Sequence, residues 1–361
     1  MAIFTSVLLA SILGMIYLVF AASKFPGIKK LAKENKKMQY LIAFLAIMLV
    51  FAVCCAAMSM VNAIIILLHV ILFRLLFGLL AWIIKKCTGK ESRFYWQGWL
   101  SLLACIIYLA IGYYLCHHVW IKEYKLKTDK DLGKLTIAMF ADSHLGTTFG
   151  GEGMEKYVND MMKSSPDILV IPGDYVDDGT KKEDMIKACE ALGKLDLKYG
   201  VWFIFGNHDR GYFNNRDFSA DELIAELEKN NINVLVDESV LVGDAFYIIG
   251  RDDAYVEGRK SMEELTKDLD KSKYMIVLDH QPNDYAAEAA AGADLVLSGH
   301  THGGQLFPVT HVGEWIGAND RTYGYERRDK TDFVVTSGIS DWEILFKTGT
   351  RSEYVILTVE S

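Results

Sequence analysis

The sequence predicts a chain in two parts: about four membrane-spanning helices over residues 1–120, then an α/β domain over 135–361. Three observations carry that reading. Apolar stretches close to the ~20 residues a helix needs to cross a bilayer fill the first third and then stop. From Leu135 onward, short β-branched runs alternate with polar helical stretches, as they do in α/β domains. Charge divides at the same place: residues 1–130 carry 15 Lys+Arg against 4 Asp+Glu and residues 131–361 carry 23 against 42, so the overall −8 conceals a basic part at +11 and an acidic part at −19.

The apolar segments are 3–22, 39–58, 62–84 and 98–116. The first reads as an uncleaved helix, because its Lys residues follow the apolar run, whereas a signal peptide places them before it. The loops SKFPGIKKLAKENKKMQ (23–39) and KKCTGKESRFYWQ (85–97) hold most of the Lys, and the positive-inside rule assigns both to the cytoplasm. A multi-pass membrane protein with its α/β domain on the extracytoplasmic side is the expectation. Trp96, Trp99, Tyr113, Tyr114 and Trp120 fit aromatic belts around the fourth segment. His69 and Arg74 fall inside the third, where ionisable groups are costly, and call for partners on other helices. Residues 121–134 read as a charged juxtamembrane linker. Five of the six Cys lie in the membrane part, and Cys189 alone cannot form an intrachain disulfide in the α/β part.

Within the α/β part the predicted strands are 135–142, 167–174, 200–207, 231–236, 244–250, 273–280, 294–300, 331–338 and 352–359. Helices are predicted at 153–165, 181–195, 219–230, 260–270 and 283–292. The −19 balance disfavours a nucleic-acid partner, whose affinity rests on Lys and Arg neutralising phosphates.

Five of the strands end in the same kind of residue: DSH (142–144), GDYVD (173–177), GNHD (206–209), DHQP (279–282) and GHTH (299–302). In open α/β sheets that edge is where sites form. Two Asp, one Asn and four His on one rim point to metal, and carboxylate, amide and imidazole donors suit Mn, Fe, Zn or Mg. Seven donors exceed what one ion uses; two ions sharing a carboxylate, ~3.5–4 Å apart, would use them all. An extended His-x-His would turn both rings to one side, one for each ion.

These motifs, in this order and with GHTHGGQ (299–305), SGI (337–339) and Arg351-x-Glu353, resemble the calcineurin-like metallophosphoesterases, and most closely their bacterial membrane-anchored or exported branch. The resemblance covers about 135–361 with all five motifs intact. It implies an α/β sandwich with metals at the C-terminal ends of the strands, and a dinuclear phosphoesterase cleaving phosphate mono- or diesters by attack of a metal-bridging hydroxide. On it, Asp142, His144, Asp174 and His302 hold the first ion. Asp174 bridges to a second, which Asn207, His280 and His300 complete, with Mn favoured for both. His208 is the expected non-ligand catalytic residue, and Asp209 is expected to orient it. The implied substrate is a phosphate ester or pyrophosphate, lipid-linked in keeping with the anchor. A receptor or transport component whose domain binds ligand without turnover is the alternative; its hallmark is loss of motif residues, and none is lost.

Several residues stay outside the motifs. Asp177 is expected to support a ligand by hydrogen bonding. Asp252 and Asp253 line the substrate pocket or sit on a solvated turn. His311 reads as a loop residue, and His117 and His118 as a polar helix end. Gly303 and Gly304 are expected to keep the site entrance free of side chains, and Gln305 has no derivable role.

Overall fold

The computed structural model describes residues 2–90, 92–212 and 216–361. The chain divides into two compact units, Met1–Gly112 and Tyr113–Ser361. The helices of the first part are α1 (Ala2–Ala22), α2 (Pro26–Leu31), α3 (Lys36–Ala57), α4 (Met60–Thr88) and α5 (Trp96–His117). Of these, α3, α4 and α5 are each long and apolar enough to cross a membrane, and α1 contributes a shorter apolar stretch, Ser11–Ala22. Helix α3 starts on Asn35, whose side chain accepts the N–H groups of Lys37 and Met38, and α4 starts on Ser59 in the same way. Gly89 ends α4 at a φ of 68°, the left-handed cap that glycine adopts without a Cβ clash.

His69 and Arg74, the two ionisable residues inside the apolar stretch of α4, both have partners. Tyr95 Oη accepts from Arg74 Nε at 3.1 Å and Nη2 at 2.8 Å, and donates in turn to the Ala21 carbonyl. His69 Nδ1 lies 2.8 Å from the Ile65 carbonyl one turn back, and its ring faces Tyr108 of α5.

The second unit holds twelve strands and six further helices among the described residues: β1 (Trp120–Lys127), β2 (Lys134–Met139), α6 (Gly151–Met162), β3 (Ile168–Pro172), α7 (Lys182–Gly193), β4 (Val201–Ile204), α8 (Ala220–Lys229), β5 (Ile232–Leu235), β6 (Glu238–Val242), β7 (Phe246–Gly250), α9 (Met262–Thr266), β8 (Tyr274–Leu278), α10 (Tyr285–Ala291), β9 (Leu295–Ser298), α11 (Val312–Trp315), β10 (Gly324–Arg328), β11 (Thr331–Val335) and β12 (Glu353–Glu360). They form two six-stranded sheets, ordered β1-β12-β2-β3-β4-β5 and β10-β11-β9-β8-β7-β6. The stretch 121–134, expected as a linker, is corrected: its first half is β1, which pairs in parallel with β12 along its whole length. Its alternating half-buried pattern is masked in the sequence by four charged residues, Lys122, Glu123, Lys125 and Lys127, which an edge strand tolerates.

Side-chain alternation places the layers. In β2, Leu135, Ile137 and Met139 enter a core between the two sheets, whereas Ala138 faces the helices. In β8, Tyr274, Ile276 and Leu278 face the other sheet, and Met275 and Val277 face outward. Helices α6, α7 and α8 cover the first sheet, and α9 and α10 cover the second. The result is a four-layer sandwich, helices–sheet–sheet–helices. Each fully buried Ile, Leu or Phe in it contributes roughly 1.5–3 kcal/mol. Parallel β2, β3 and β4 in one sheet and β8 and β9 in the other all end at the same rim.

Candidate metal centre

The rim brings the seven predicted ligand residues together. Asp142 and His144 follow β2, Asp174 follows β3, Asn207 follows β4, His280 follows β8, and His300 and His302 follow β9. One cluster comprises Asp142, His144 and His302, with one donor atom from each lying within 4.8 Å of the others. A second comprises Asp174, His280 and His300 on the same criterion. Asp174 also reaches the first cluster: its Oδ2 is 3.1 Å from His280 Nε2 and 3.6 Å from His144 Nε2. Asn207 Oδ1 lies 2.9 Å from His300 Nδ1 and 3.2 Å from His280 Nε2, within the second cluster.

Backbone strain accompanies this convergence. Asp142, His144, Asp174, His300 and His302 all have positive φ, between 35° and 70°. Non-glycine residues rarely take this conformation, and it costs of order 1–3 kcal/mol each unless the surroundings enforce it. The His-x-His segment is therefore not extended as expected: Thr301 between the rings is helical (φ −80°, ψ −12°), and its hydroxyl turns away to donate to the Thr322 carbonyl at 2.6 Å. Gly206 permits the closest approach of the loops, since a Cβ there would lie 2.2 Å from Asp174 Oδ1.

A layer of hydrogen bonds orients the donors. His280 Nδ1 lies 2.9 Å from the Pro172 carbonyl, which assigns that nitrogen a proton and turns Nε2 towards the cluster. Asp177 Oδ2 stands 3.5 Å from His144 Nδ1, in the supporting role expected for it. Asp341 Oδ1 stands 3.2 Å from His302 Nδ1 and accepts the Trp342 N–H at 3.1 Å. Behind it, the fully buried Lys347 Nζ donates to the carbonyls of Ser337 and Ser340 and lies 3.7 Å from Asp341 Oδ2. Gln305 receives a role here: Nε2 donates to the Ile344 and Phe346 carbonyls, and its own carbonyl accepts from Thr348 and Gly349. It thus ties the GHTHGGQ turn to the segment that carries Asp341 and Lys347.

Two expectations are corrected. Asp209 does not orient His208; its buried carboxylate accepts the backbone N–H groups of Asp174, Tyr175, Val176 and Gly206 at 2.7–3.0 Å. Its role is to hold the Asp174 turn against the GNHD turn. Gly303 and Gly304 do not clear an entrance: a Cβ on Gly304 would lie 2.0 Å from the Thr310 carbonyl, and one on Gly303 would meet Thr350. They are packing glycines. Asp252 and Asp253 are buried, which removes the solvated-turn reading: Asp252 pairs with Arg210 Nη2 at 2.8 Å, and Asp253 accepts from Gln281. His311 is a loop residue beside Glu314. His117 and His118 stack on Tyr113 and Tyr114.

The electrostatics fit divalent cations. Burial pushes the Asp142 carboxyl up to about 6 against the pull of His280. Burial would also raise Asp174, but the His280 and His144 imidazoles hold it well below the usual carboxylate range. Burial and the neighbouring His280 lower His300 to about 3, leaving a neutral donor. The Nε2 atom of the fully buried His144 ring lacks a hydrogen-bond partner. Buried polar atoms are normally satisfied, and a metal ion held by His144, Asp142 and Asp174 would take up that Nε2 atom.

Comparison with known proteins agrees with the site. Residues 135–304 match the family described as calcineurin-like phosphoesterase. An uncharacterized metallophosphoesterase of Aquifex aeolicus is 34% identical over 202 residues, 53% of this chain and 73% of the relative. The chain belongs to the calcineurin-like phosphoesterases. A Campylobacter jejuni metallophosphoesterase is 31% identical over 232 residues, 63% of this chain and 59% of that protein. A bovine protein described as a transmembrane protein with metallophosphoesterase domain is 28% identical over 248 residues, 64% of this chain and 54% of the relative. The chain thus spans less than two thirds of either of these two.

His208 stands beside the clusters, with its ring 4.9 Å from those of His144 and Tyr212 and 5.4 Å from Trp342. Burial lowers its pKa, which keeps the imidazole neutral near pH 7. It lines a groove of about 380 Å³ with Thr147, Asp177, Tyr212 and Trp342.

Proposed function

We propose that this protein is a membrane-anchored phosphoesterase that hydrolyses phosphate mono- or diesters with two divalent cations, Mn²⁺ favoured, held by Asp142, His144 and His302 on one side and Asn207, His280 and His300 on the other, with Asp174 between them. The observation that supports it most is the position of Asp174 Oδ2 between the inward-facing Nε2 atoms of His280 and His144. Cations in such a pair polarise phosphoryl oxygens and make a bound water nucleophilic near neutral pH.

The chain's own residues do the rest. Asp174 and Asp142 offset the charge of the cations, and the orienting contacts of Pro172, Asp177 and Asp341 keep the imidazoles aimed. His208, neutral and open to the groove, presents its ring N–H to a phosphoryl oxygen or to the leaving oxygen as the P–O bond to the ester group breaks. Tyr212 and Trp342 wall the groove with aromatic surface. Together with the membrane helices, this favours lipid-linked phosphate or pyrophosphate esters, and it disfavours nucleic acid in an acidic unit.

By the positive-inside rule the catalytic unit lies outside the cytoplasm. Protease added to intact cells should cleave it there; cleavage only after lysis would reverse the orientation. The activity is tested by Mn²⁺-dependent hydrolysis of p-nitrophenyl phosphate and bis(p-nitrophenyl) phosphate by the full-length protein and by Asp174→Asn. Turnover lost in the variant supports the reading, and equal turnover by both proteins, or none by either, refutes it.

A further inference from the structure

The first unit contains a built cavity that the phosphoesterase reading does not use. It has a volume of about 580 Å³ at the ends of α1 and α4 and the start of α5, and its walls include Tyr17, Lys24, Arg74, Lys85, Lys90 and Gln97. Among the described residues lining it there are four cations and no carboxylate. Two of its side chains have buried polar atoms without a hydrogen-bond partner: Arg74 Nη1 and Gln97 Oε1.

Arg74 is 7% exposed, and its orphaned Nη1 is held ready rather than loose. The other two guanidinium nitrogens are pinned by Tyr95, which is itself tied to Ala21. Nη1 lies beside Gly78, another wall of the cavity, where an added Cβ would come within 3.0 Å of it. A pre-oriented guanidinium edge in a cationic pocket is matched by a phosphate oxygen, because the planar N–H fork fits phosphate and loses little freedom on binding. Lys24 and Lys90, both exposed, add charge at the mouth.

A second chamber, about 250 Å³, shares Ala21 and Arg74 as walls with the first and is otherwise almost wholly apolar, faced by Ala43, Ile47, Ala63 and Leu67 among others. A polar cationic chamber and an apolar one walled by the same arginine match a molecule with a phosphate at one end and a hydrocarbon chain at the other.

We propose that the helical unit binds one anionic phospholipid, with its phosphate on Arg74 Nη1, its headgroup hydroxyl or amine on Gln97, and an acyl chain in the apolar chamber. The Lys-rich loops 23–39 and 85–97 flank the polar chamber, so the positive-inside rule places the lipid in the cytoplasmic leaflet, and basic residues at helix ends recognise such headgroups. The inference rests on the helical unit lying in a membrane and is independent of the phosphoesterase chemistry.

Native mass spectrometry of the full-length protein in detergent, titrated with phosphatidylglycerol or phosphatidylcholine, tests it. One phosphatidylglycerol should bind at least about tenfold more tightly than phosphatidylcholine. Arg74→Gln should lose that preference. If this variant fails to fold, the surface pair Lys24→Gln with Lys90→Gln, and separately Gly78→Leu, should each weaken the adduct about three- to tenfold while leaving Mn²⁺-dependent turnover unchanged. Equal binding of the two lipids, or full phosphatidylglycerol binding by the Lys pair and by Gly78→Leu, would overturn the site. Displacement of the lipid by equimolar inorganic phosphate or glycerol 3-phosphate would show that a soluble phosphate, not a lipid, is the ligand.

Discussion

Asp209 underpins Asp174: its Oδ2 accepts the Asp174 backbone N–H at 2.8 Å, and the same carboxylate takes three more amides from the two turns that carry Asp174 and Asn207. Burial holds the Asp209 carboxyl up to about 7, with the Asp174 charge adding to the effect and the amides opposing it. In Asp209→Asn, one oxygen becomes an NH2 group facing amide donors. The loss of charge-assisted bonds at a buried site should cost about 2–4 kcal/mol. Thermal unfolding should show a lower Tm with metal present or absent. An unchanged Tm would mean that the four amides are satisfied without the charge.

Asp177 and Asp341 orient His144 and His302 without belonging to either donor cluster. Substituting either with Asn should weaken metal affinity roughly 10–100-fold while preserving fold and, at saturating Mn²⁺, much of the turnover. Metal titration followed by calorimetry checks this; wild-type affinity in both variants would contradict the assignment.

His208 is the converse case. Its ring touches His144, Tyr212 and Trp342 and lies outside both donor clusters. His208→Ala should keep its full metal content and lose about 10²–10⁴-fold in kcat, with little change in KM. Loss of metal in this variant would make it a ligand.

Cation removal should destabilise the catalytic unit. Each ion bound at 100 times its Kd adds about 2.7 kcal/mol, worth roughly 2–4 °C of Tm per kcal/mol for a domain of this size. Chelation by EDTA should therefore lower Tm by about 10 °C or more, and Mn²⁺ should restore it. A Tm indifferent to EDTA would argue that the clusters are ordinary buried polar groups.

Much of the site was legible because each ligand sits in a short motif at a strand end, and strand ends are visible as apolar runs that stop at Gly, Asp or His. What stayed hidden are roles set by packing between distant segments. Asp341 and Lys347 lie in a loop without local signature, 39 and 45 residues after His302 in the sequence, and only tertiary folding places them behind it. Asp209 looked catalytic because it adjoins His208 in sequence, yet its side chain points the other way, into four amides. The strand β1 was missed because an edge strand tolerates the charge pattern of a linker, and β6 and β10, also at or near edges, lack the apolar run that revealed the buried strands.

The central claim is that Asp174 joins two cation sites. Metal content per chain, measured by mass spectrometry of the elements after loading with Mn²⁺ and desalting, tests it most directly. Wild type should retain two ions and Asp174→Asn one or none, with His208→Ala retaining two. One ion or none in wild type, or two in Asp174→Asn, would contradict the shared-carboxylate centre.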